Sequence, residues 1–289
     1  MKRLVTLFLL GGIALFPGRL GSAQSSMASS SNSDVPSTSL FLQSVGSTLE
    51  REFSTGDLSF LLLDARTGNV AASHWDDPER RIPLGSLVKP FTALAYAETH
   101  DSKYPLHICR GKASGCWQST PHGELDINSA IAFSCNSYFR ALTAHLTGED
   151  MLPVTRRFDL DTPDADLTGP ALMGFGVRWL VSPLRLARAY LELYRRRDQP
   201  VVREVLAGMV QSARVGTGSA IGRALKHSGA MVKTGTAACT HVRPAPADGF
   251  VVALVPANDA QFLLLVRVHG VTGATAAVTA GRMLSRLED

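Results

Sequence analysis

Segments with the composition of β-strands stand near both ends of this 289-residue chain, and the region between them has the pattern of helices and loops. Two apolar runs, 58–63 and 70–75, flank a turn-forming stretch, which predicts a β-hairpin. Three further β-rich runs come near the other end, at 231–237, 250–255 and 262–268, before a helical pattern at 273–287.

This order of segments predicts an α/β (α+β) architecture. We expect the chain to leave an antiparallel sheet of about five strands, build an inserted all-helical subdomain over roughly residues 92–225, and return to the same sheet. Helices then flank the completed sheet. The folded domain is expected to cover residues 41–289.

The first 23 residues have the pattern of a secretory signal peptide. Lys2 and Arg3 precede an apolar run over residues 4–16, and small residues end the segment. The run has 13 residues, whereas a helix needs about 20 to span a bilayer, so we expect cleavage rather than a stable membrane anchor. The serine-rich residues 24–40 cannot bury an apolar face and are expected to form a disordered linker.

The charge of the chain argues against nucleic acid as a partner. The full sequence has a formal net charge of +4, and loss of Lys2, Arg3 and Arg19 with the signal peptide leaves +1. Export by this route predicts a periplasmic or secreted protein. No feature of the sequence sets the oligomeric state.

Ser86 and Lys89 stand three residues apart at the start of an apolar helical pattern, which places them on one helix face. A serine hydroxyl is a weak nucleophile unless a base lies within hydrogen-bond reach. Apolar neighbours such as Val88 and Phe91 favour the neutral form of Lys89, because burial lowers the pKa of an amine. The pair therefore predicts a nucleophile and its base, although a Ser-x-x-Lys spacing alone also occurs by chance.

Ser134 and Asn136 lie in a polar link between two helical patterns, 124–133 and 137–146. A hydroxyl and a carboxamide in such a link can both face a cleft, where the first relays a proton and the second holds an amide. The alternative is that Ser134 only caps the next helix, as serine often does.

The sequence Lys233-Thr234-Gly235-Thr236 falls on a predicted strand. It lacks the further glycines of a phosphate-binding loop. A glycine inside a strand indicates close approach of another backbone or a ligand. One positive charge and two hydroxyls suit a carboxylate, and an ordinary exposed edge strand is the alternative.

The three motifs, in this order and in these local contexts, resemble those of the penicillin-recognising serine enzymes. The segments GSLVKPFTALAYAE, HGELDINSAIAFSCNSYF, SPLRLARAYLEL, GTGSA and KTGTA resemble the transpeptidase domain of high-molecular-mass penicillin-binding proteins. The resemblance covers roughly residues 58–287. It implies a β-lactamase/transpeptidase-like fold that works without a cofactor, with peptidoglycan stem peptides and β-lactam antibiotics as its ligands.

The resemblance also implies the catalytic roles. Ser86 would attack the carbonyl of the penultimate D-alanine of a D-Ala-D-Ala stem peptide and form an acyl-enzyme, with Lys89 as its base. Ser134 would pass a proton to the leaving group with help from Lys233, and Asn136 would bind the peptide amide. Such an enzyme is a serine-type D,D-transpeptidase that penicillin acylates.

The same resemblance assigns the edge strand to substrate binding. Thr234 and Thr236 would hold the substrate carboxylate beside Lys233, at a strand that Gly235 keeps open. The backbone N–H groups of Ser86 and Thr236 would form the oxyanion hole, which is usually the largest electrostatic contribution to acyl transfer.

Three other functions compete with transpeptidation. A D,D-carboxypeptidase would use water in place of the acceptor amine. A serine β-lactamase is less supported, because Glu149, Glu192 and Glu204 lack the asparagine four residues later that class A enzymes carry, and class D enzymes have valine where Asn136 stands. A β-lactam sensor or accessory wall-binding module is the non-enzymatic alternative.

Cys109 and Cys116 enclose an eight-residue loop with two glycines in a chain expected to reach an oxidising compartment. We therefore predict a disulfide between them, which would stabilise the fold by about 2.5 kcal/mol on the chain-entropy estimate. A zinc site with His107 as a third ligand is the weaker alternative, because no fourth ligand has suitable spacing. Cys135 and Cys239 are expected to stay outside disulfides.

Overall fold

A computed structural model describes residues 40–241 and 244–288 of the chain. The predicted signal peptide, 1–23, and all but the last residue of the predicted linker, 24–40, lie outside the described residues. None of the helices that the structure describes is long and apolar enough to cross a membrane.

The first described element is a helix that the sequence analysis did not predict, α1 (Leu40–Phe53). Its apolar positions recur every three or four residues, and Leu42, Val45 and Leu49 are buried against the sheet. The helix begins at Leu40, the last residue assigned to the linker, directly after the serine-rich stretch.

The predicted sheet has five strands, and every neighbouring pair is antiparallel. The strands are β1 (Leu58–Asp64), β2 (Val70–His74), β5 (Met231–Ala237), β6 (Asp248–Val255) and β7 (Phe262–His269). Their order is β2-β1-β7-β6-β5, so the last three strands complete the sheet that the hairpin begins. This confirms the fold class that the sequence predicted.

The sheet is buried on both faces because successive side chains of a strand point to opposite sides. In β1, Leu61 and Leu63 join one apolar core, whereas Phe60 and Leu62 join the other. Helix α1 and two later helices, α8 (Ser219–Ala224) and α9 (Gly273–Ser285), cover the second face. The core on the first face holds the helices between β2 and β5 other than α8.

The inserted region between β2 and β5 is mainly helical but not all-helical. It contains α2 (Lys89–Thr99), α3 (Ile127–Ala132), α4 (Asn136–Thr143), α5 (Leu152–Arg157), α6 (Pro183–Arg195) and α7 (Pro200–Val215). It also contains a two-stranded ribbon, β3 (His107–Cys109) with β4 (Gly123–Leu125). The all-helical expectation was wrong here, since three-residue strands are too short to show a period of two.

The chain enters α2 through a tight turn that lies against β5. Residues Gly85–Val88 form one 3₁₀ turn, and Gly85 has a φ of +56°. A Cβ added there would lie 2.2 Å from the carbonyl oxygen of Thr236. Only glycine fits this position, because both the backbone conformation and the space exclude a side chain. The turn and the edge strand are thereby held in direct backbone contact.

We predict that Gly85→Ala destabilises the fold more than Gly169→Ala. Gly169 also has a positive φ, +60°, but an added Cβ there meets nothing within 4 Å. Both changes carry the conformational cost of about 1–2 kcal/mol, and Gly85→Ala adds a steric cost of about 1–3 kcal/mol. Chemical denaturation of the two variants measures the difference, and equal destabilisation would contradict the backbone contact.

Candidate active site

Ser86 and Lys89 belong to one continuous turn and helix. Ser86 is half-buried inside the 3₁₀ turn, and the backbone N–H of Lys89 donates to the Ser86 carbonyl as α2 begins. Pro90 occupies the first turn of α2, where its missing donor costs no helical hydrogen bond. The side chain of Lys89 is fully buried, as the apolar neighbours predict.

The Lys89 amine is held by the link between α3 and α4. Its Nζ donates to the Ser134 carbonyl at 2.8 Å, to the Ser134 hydroxyl at 3.3 Å and to the Asn136 side-chain oxygen at 2.7 Å. The Asn136 oxygen is therefore occupied, which leaves its NH₂ group as the donor for a ligand.

Lys233 approaches the same hydroxyl from β5. Its Nζ donates to Ser134 Oγ at 2.9 Å and to the Thr234 carbonyl at 2.7 Å. Two amines from different elements thus meet at one serine hydroxyl, which is itself almost fully buried.

Burial changes the charge state that both lysines prefer. It lowers the pKa of Lys89 from 10.5 to about 7. Burial, and then the charge of Lys89, lower the pKa of Lys233 well below its usual value. In the part of the chain that the structure describes, no carboxylate forms an ion pair with either amine. An amine that is neutral near pH 7 can accept a proton, so Lys89 has the property of a general base.

Ser134 has a backbone conformation that few non-glycine residues adopt, with a φ of +50°. Backbone hydrogen bonds to Ala130 and Ile131 close the end of α3 around it, and α4 begins two residues later. Such a conformation costs about 1–3 kcal/mol and is concentrated at functional sites. Here it turns the hydroxyl toward the two amines.

A cleft of about 300 Å³ joins these elements. Six residues that the motifs singled out line it: Ser86, Ser134, Asn136, Thr234, Gly235 and Thr236. Lys89 and Lys233 are fully buried beside it and reach Ser134 from within the protein. The structure therefore brings together every catalytic and substrate-binding residue that the sequence analysis named.

Five further residues line the cleft without having been predicted: Trp117, Phe175, Thr217, Thr272 and Ala274. Thr217 has a defined place, because the Thr234 hydroxyl donates to its Oγ1 at 2.6 Å. The Thr236 hydroxyl is also positioned, since it accepts from the backbone N–H of Gly273 at 2.9 Å. The GTGSA segment was the available signal for Thr217, whereas no local pattern marked the two aromatic residues.

The fold and the cleft have the organisation of a penicillin-recognising serine enzyme, as the motifs predicted. The family model for the penicillin binding protein transpeptidase domain matches residues 58–286. The chain belongs to this family. Comparison with curated protein sequences gave no match.

Solved structures of penicillin-binding proteins share the fold. Pseudomonas aeruginosa PBP2, in complex with WCK 5153, gives a TM-score of 0.67 at 19% identity, over 86% of this chain and 74% of that chain. The apo transpeptidase domain of Burkholderia pseudomallei penicillin-binding protein 3 gives 0.62 at 17% identity, over 85% and 93%. Helicobacter pylori PBP2, in a complex with MreC, gives 0.67 at 16% identity, over 86% and 62%.

The predicted disulfide between Cys109 and Cys116 is wrong, since the structure has no disulfide at either residue. Both sulfurs turn toward His122 instead, with Cys109 Sγ at 3.4 Å and Cys116 Sγ at 3.6 Å from its Nδ1. Cys116 Sγ also lies 3.8 Å from Cys135 Sγ. These three thiols and one imidazole form a cluster beside the link between α3 and α4.

The spacing of this cluster fits a zinc ion. Ligand atoms of all four residues lie within 4.8 Å of one another, and a tetrahedral zinc site has S···S edges of about 3.8 Å and S···N edges of about 3.5 Å. His122 Nε2 bonds to Gln118 Oε1 at 2.9 Å, which leaves a lone pair on Nδ1 facing the cluster. Cys109, Cys116, His122 and Cys135 could therefore hold zinc as a structural centre.

The zinc alternative in the sequence analysis failed because it relied on the wrong histidine. His107 Nε2 lies 2.7 Å from the Ser137 hydroxyl and takes no part in the cluster. His122 and Cys135 are separated from the cysteine loop in sequence, and only the ribbon β3–β4 and helix α3 bring them to it.

We predict that a strong zinc chelator speeds alkylation of Cys109, Cys116 and Cys135, because removal of a bound ion frees their thiolates. Cys116→Ser should show the fast alkylation of Cys109 and Cys135 without chelator. Peptide mapping after alkylation measures each cysteine separately. A cross-linked Cys109–Cys116 peptide, or alkylation that ignores the chelator, would contradict zinc binding at this cluster.

Proposed function

We propose that the protein is a serine acyltransferase that acts on D-Ala-D-Ala peptidoglycan stem peptides through an acyl-enzyme and that penicillin acylates it. Membership of the transpeptidase family supports a penicillin-binding enzyme of the cell wall, outside the cytoplasm. The observation that carries the finer proposal is the convergence of two buried amines on the Ser134 hydroxyl, in the cleft that Ser86 lines.

We infer the first half-reaction from the groups gathered in and beside the cleft. Ser86 Oγ attacks the carbonyl carbon, and its proton passes to the neutral Lys89 amine. The carbonyl oxygen gains negative charge, which the backbone N–H groups of Ser86 and Thr236 stabilise. The C–N bond then breaks as Ser134 gives its proton to the leaving nitrogen, and Lys89 returns a proton to Ser134 through their hydrogen bond.

We assign recognition of the substrate carboxylate to the edge strand β5. Thr234 and Thr236 offer hydroxyls, and Lys233 lies directly behind them. Because the described part of the site has no acidic partner for its amines, a ligand carboxylate supplies the missing negative charge. This carboxylate favours the protonated form of Lys233 and so raises the pKa that burial lowers.

The lining of the cleft favours a long-lived acyl-enzyme over β-lactam hydrolysis. None of the described residues that line it is an aspartate or glutamate, so no carboxylate is placed to activate water. Glu192 pairs with Arg196 at 2.7 Å on α6 rather than reaching the cleft. We therefore expect an amine acceptor to release the acyl group in preference to water.

Ser86→Ala should abolish covalent labelling by a fluorescent penicillin, because the variant lacks the only proposed acylation site. Ser129→Ala is the matched control, since Ser129 is half-buried like Ser86 but lies outside the cleft. Gel fluorescence measures labelling, and circular dichroism checks the fold of both variants. Labelling that survives in Ser86→Ala would refute the assignment.

The rate of penicillin acylation should rise with pH through about 7, because burial lowers the pKa of Lys89 to about 7 and only the neutral amine is a base. Lys89→Ala should lower the rate at least about 100-fold and flatten this profile. Lys103→Ala, at an exposed lysine, should change neither. A wild-type rate that is flat from about pH 5.5 to about pH 8.5 would count against Lys89 as the base.

The acceptor decides between transpeptidase and carboxypeptidase. With a D-Ala-D-Ala pentapeptide and an acceptor amine, we expect mass spectrometry to find mainly the new amide, with D-alanine released. Without the amine, release of D-alanine should slow, since the cleft offers no carboxylate to activate water. Equal release with and without the amine, and no amide product, would identify a carboxypeptidase.

A further inference from the structure

A second group of metal-ligand side chains lies at the ends of the three last strands. Cys239 and His241 follow β5, Asp248 begins β6, and His269 ends β7. Asp248 and His269 are direct partners in the antiparallel register of β6 and β7, which places their side chains together on one face of the sheet. Asp248 also pairs with Ala237 of β5, so the chain after β5 returns toward the same point.

The atoms of this group converge. His269 Nδ1 lies 3.0 Å from Asp248 Oδ1 and 3.5 Å from Cys239 Sγ. The ligand atoms of Cys239, Asp248 and His269 all lie within 4.8 Å of one another. His241 lies outside this set of three, but its Nε2 is 3.4 Å from the other Asp248 oxygen, Oδ2.

Two buried atoms here have no hydrogen-bond partner among the residues that the structure describes. Asp248 is fully buried and its Oδ2 is unsatisfied, and so is the buried Nε2 of His241. A buried carboxylate oxygen that accepts no hydrogen bond loses the hydration it had in water, and His241 at 3.4 Å compensates only where its ring is protonated. A cation between Oδ2 and the lone pair of Nε2 would satisfy both atoms at once.

The geometry excludes a Cys-His-Asp catalytic relay. A relay uses the two nitrogens of the imidazole, one toward the nucleophile and the other toward the carboxylate. In this group the thiol and the carboxylate approach the same nitrogen, Nδ1 of His269. One nitrogen cannot donate to the carboxylate and accept from the thiol together, whereas three ligand atoms around one point are what a metal ion requires.

A path for an ion to enter, and the charges near the group, are also compatible with a metal site. A cavity of about 410 Å³ opens beside the group and is lined by His241 and His269. Its charged lining residues are the acids Asp57, Asp76 and Asp77 and the cations Arg80 and Arg267. The nearby Arg267 cation opposes a metal, but it lies over the Trp75 ring at 4.8 Å and donates to Ser59 Oγ at 2.9 Å. A thiolate and a carboxylate together balance the charge of a divalent ion.

We propose that Cys239, Asp248 and His269 hold a divalent transition metal of the zinc class, with His241 of the following loop facing the second oxygen of Asp248, at a site separate from the cluster around Cys135. Mixed sulfur, nitrogen and oxygen ligands suit zinc better than magnesium or calcium, which take oxygen ligands. The ion ties the segment after β5 to β6 and β7. That segment begins three residues after Thr236, so the ion fixes the outer end of the substrate-binding strand.

The test counts metal ions on the full chain. The protein is stripped with a chelator, returned to Zn²⁺ and examined by native mass spectrometry. We expect two zinc ions per wild-type chain. Asp248→Asn should bind one fewer ion, and so should Cys239→Ser. Asp77→Asn, at an exposed acid of the same cavity, should retain the wild-type number.

Variants of the first cluster keep the two sites distinguishable. Cys116→Ser should lose one ion and retain the ion of the second site, and Cys116→Ser with Asp248→Asn should bind none. With Co²⁺ as the probe, the thiolate charge-transfer band that remains in Cys116→Ser should vanish on adding Cys239→Ser. If Cys116→Ser lost no ion while Asp248→Asn did, only the first cluster would be refuted.

A variant in the loop after β5 separates loss of the metal from misfolding of the protein. His241 lies outside the strands, so His241→Ala should leave the fold intact, yet weaken binding of the second zinc ion about tenfold or more. Penicillin labelling of each variant reports whether the cleft is intact. An Asp248→Asn protein that keeps the wild-type ion count, or a wild-type protein whose only zinc disappears in Cys116→Ser, would overturn the proposal.

Discussion

The site depends on the hydroxyl of Ser134, because two buried amines from different elements, α2 and β5, donate to it. The partners are separated by 45 and 99 residues in sequence, so the contact exists only when α2, the α3–α4 link and β5 are all in place. Burying two amines without a carboxylate partner is costly unless they can lose protons or share acceptors. The surrounding backbone holds the two amines in place despite this cost. Gly85 packs directly against Thr236, and Ser134 adopts a positive φ.

Much of the fold could be predicted because the sheet is made of strong local patterns. The runs at 231–237 and 262–268 are apolar and β-branched, and they match β5 and β7 to within a residue. The segment 124–133 was predicted as one helix, yet it divides into β4 and the short helix α3, since Gly123–Leu125 pairs with β3. That pairing is a long-range contact, which no local period could reveal.

The site shows the same division between local and long-range information. The pair Ser86 and Lys89 was predictable because the two residues are one helical turn apart. The order of the motifs then predicted that Ser134 and Lys233 lie beside them. The disulfide prediction treated Cys109 and Cys116 as a closed loop with no other partners. In the fold, His122 contacts both sulfurs and Cys135 contacts the Cys116 sulfur, so the thiols belong to a cluster of four ligand atoms rather than to a closed pair.

The cysteine cluster and the catalytic turn share one peptide segment. Cys135 stands between Ser134, which receives both amines, and Asn136, whose oxygen fixes the Lys89 amine. Adjacent residues cannot move independently, so whatever holds the Cys135 sulfur also limits where the Ser134 hydroxyl can point. The positive φ of Ser134 needs such external support, because a strained conformation persists only when its surroundings over-determine it. The buried cluster is therefore part of what orients the proton relay. It adjoins the described lining of the cleft through Ser134 and Asn136, on either side of Cys135, and through Trp117, which follows Cys116.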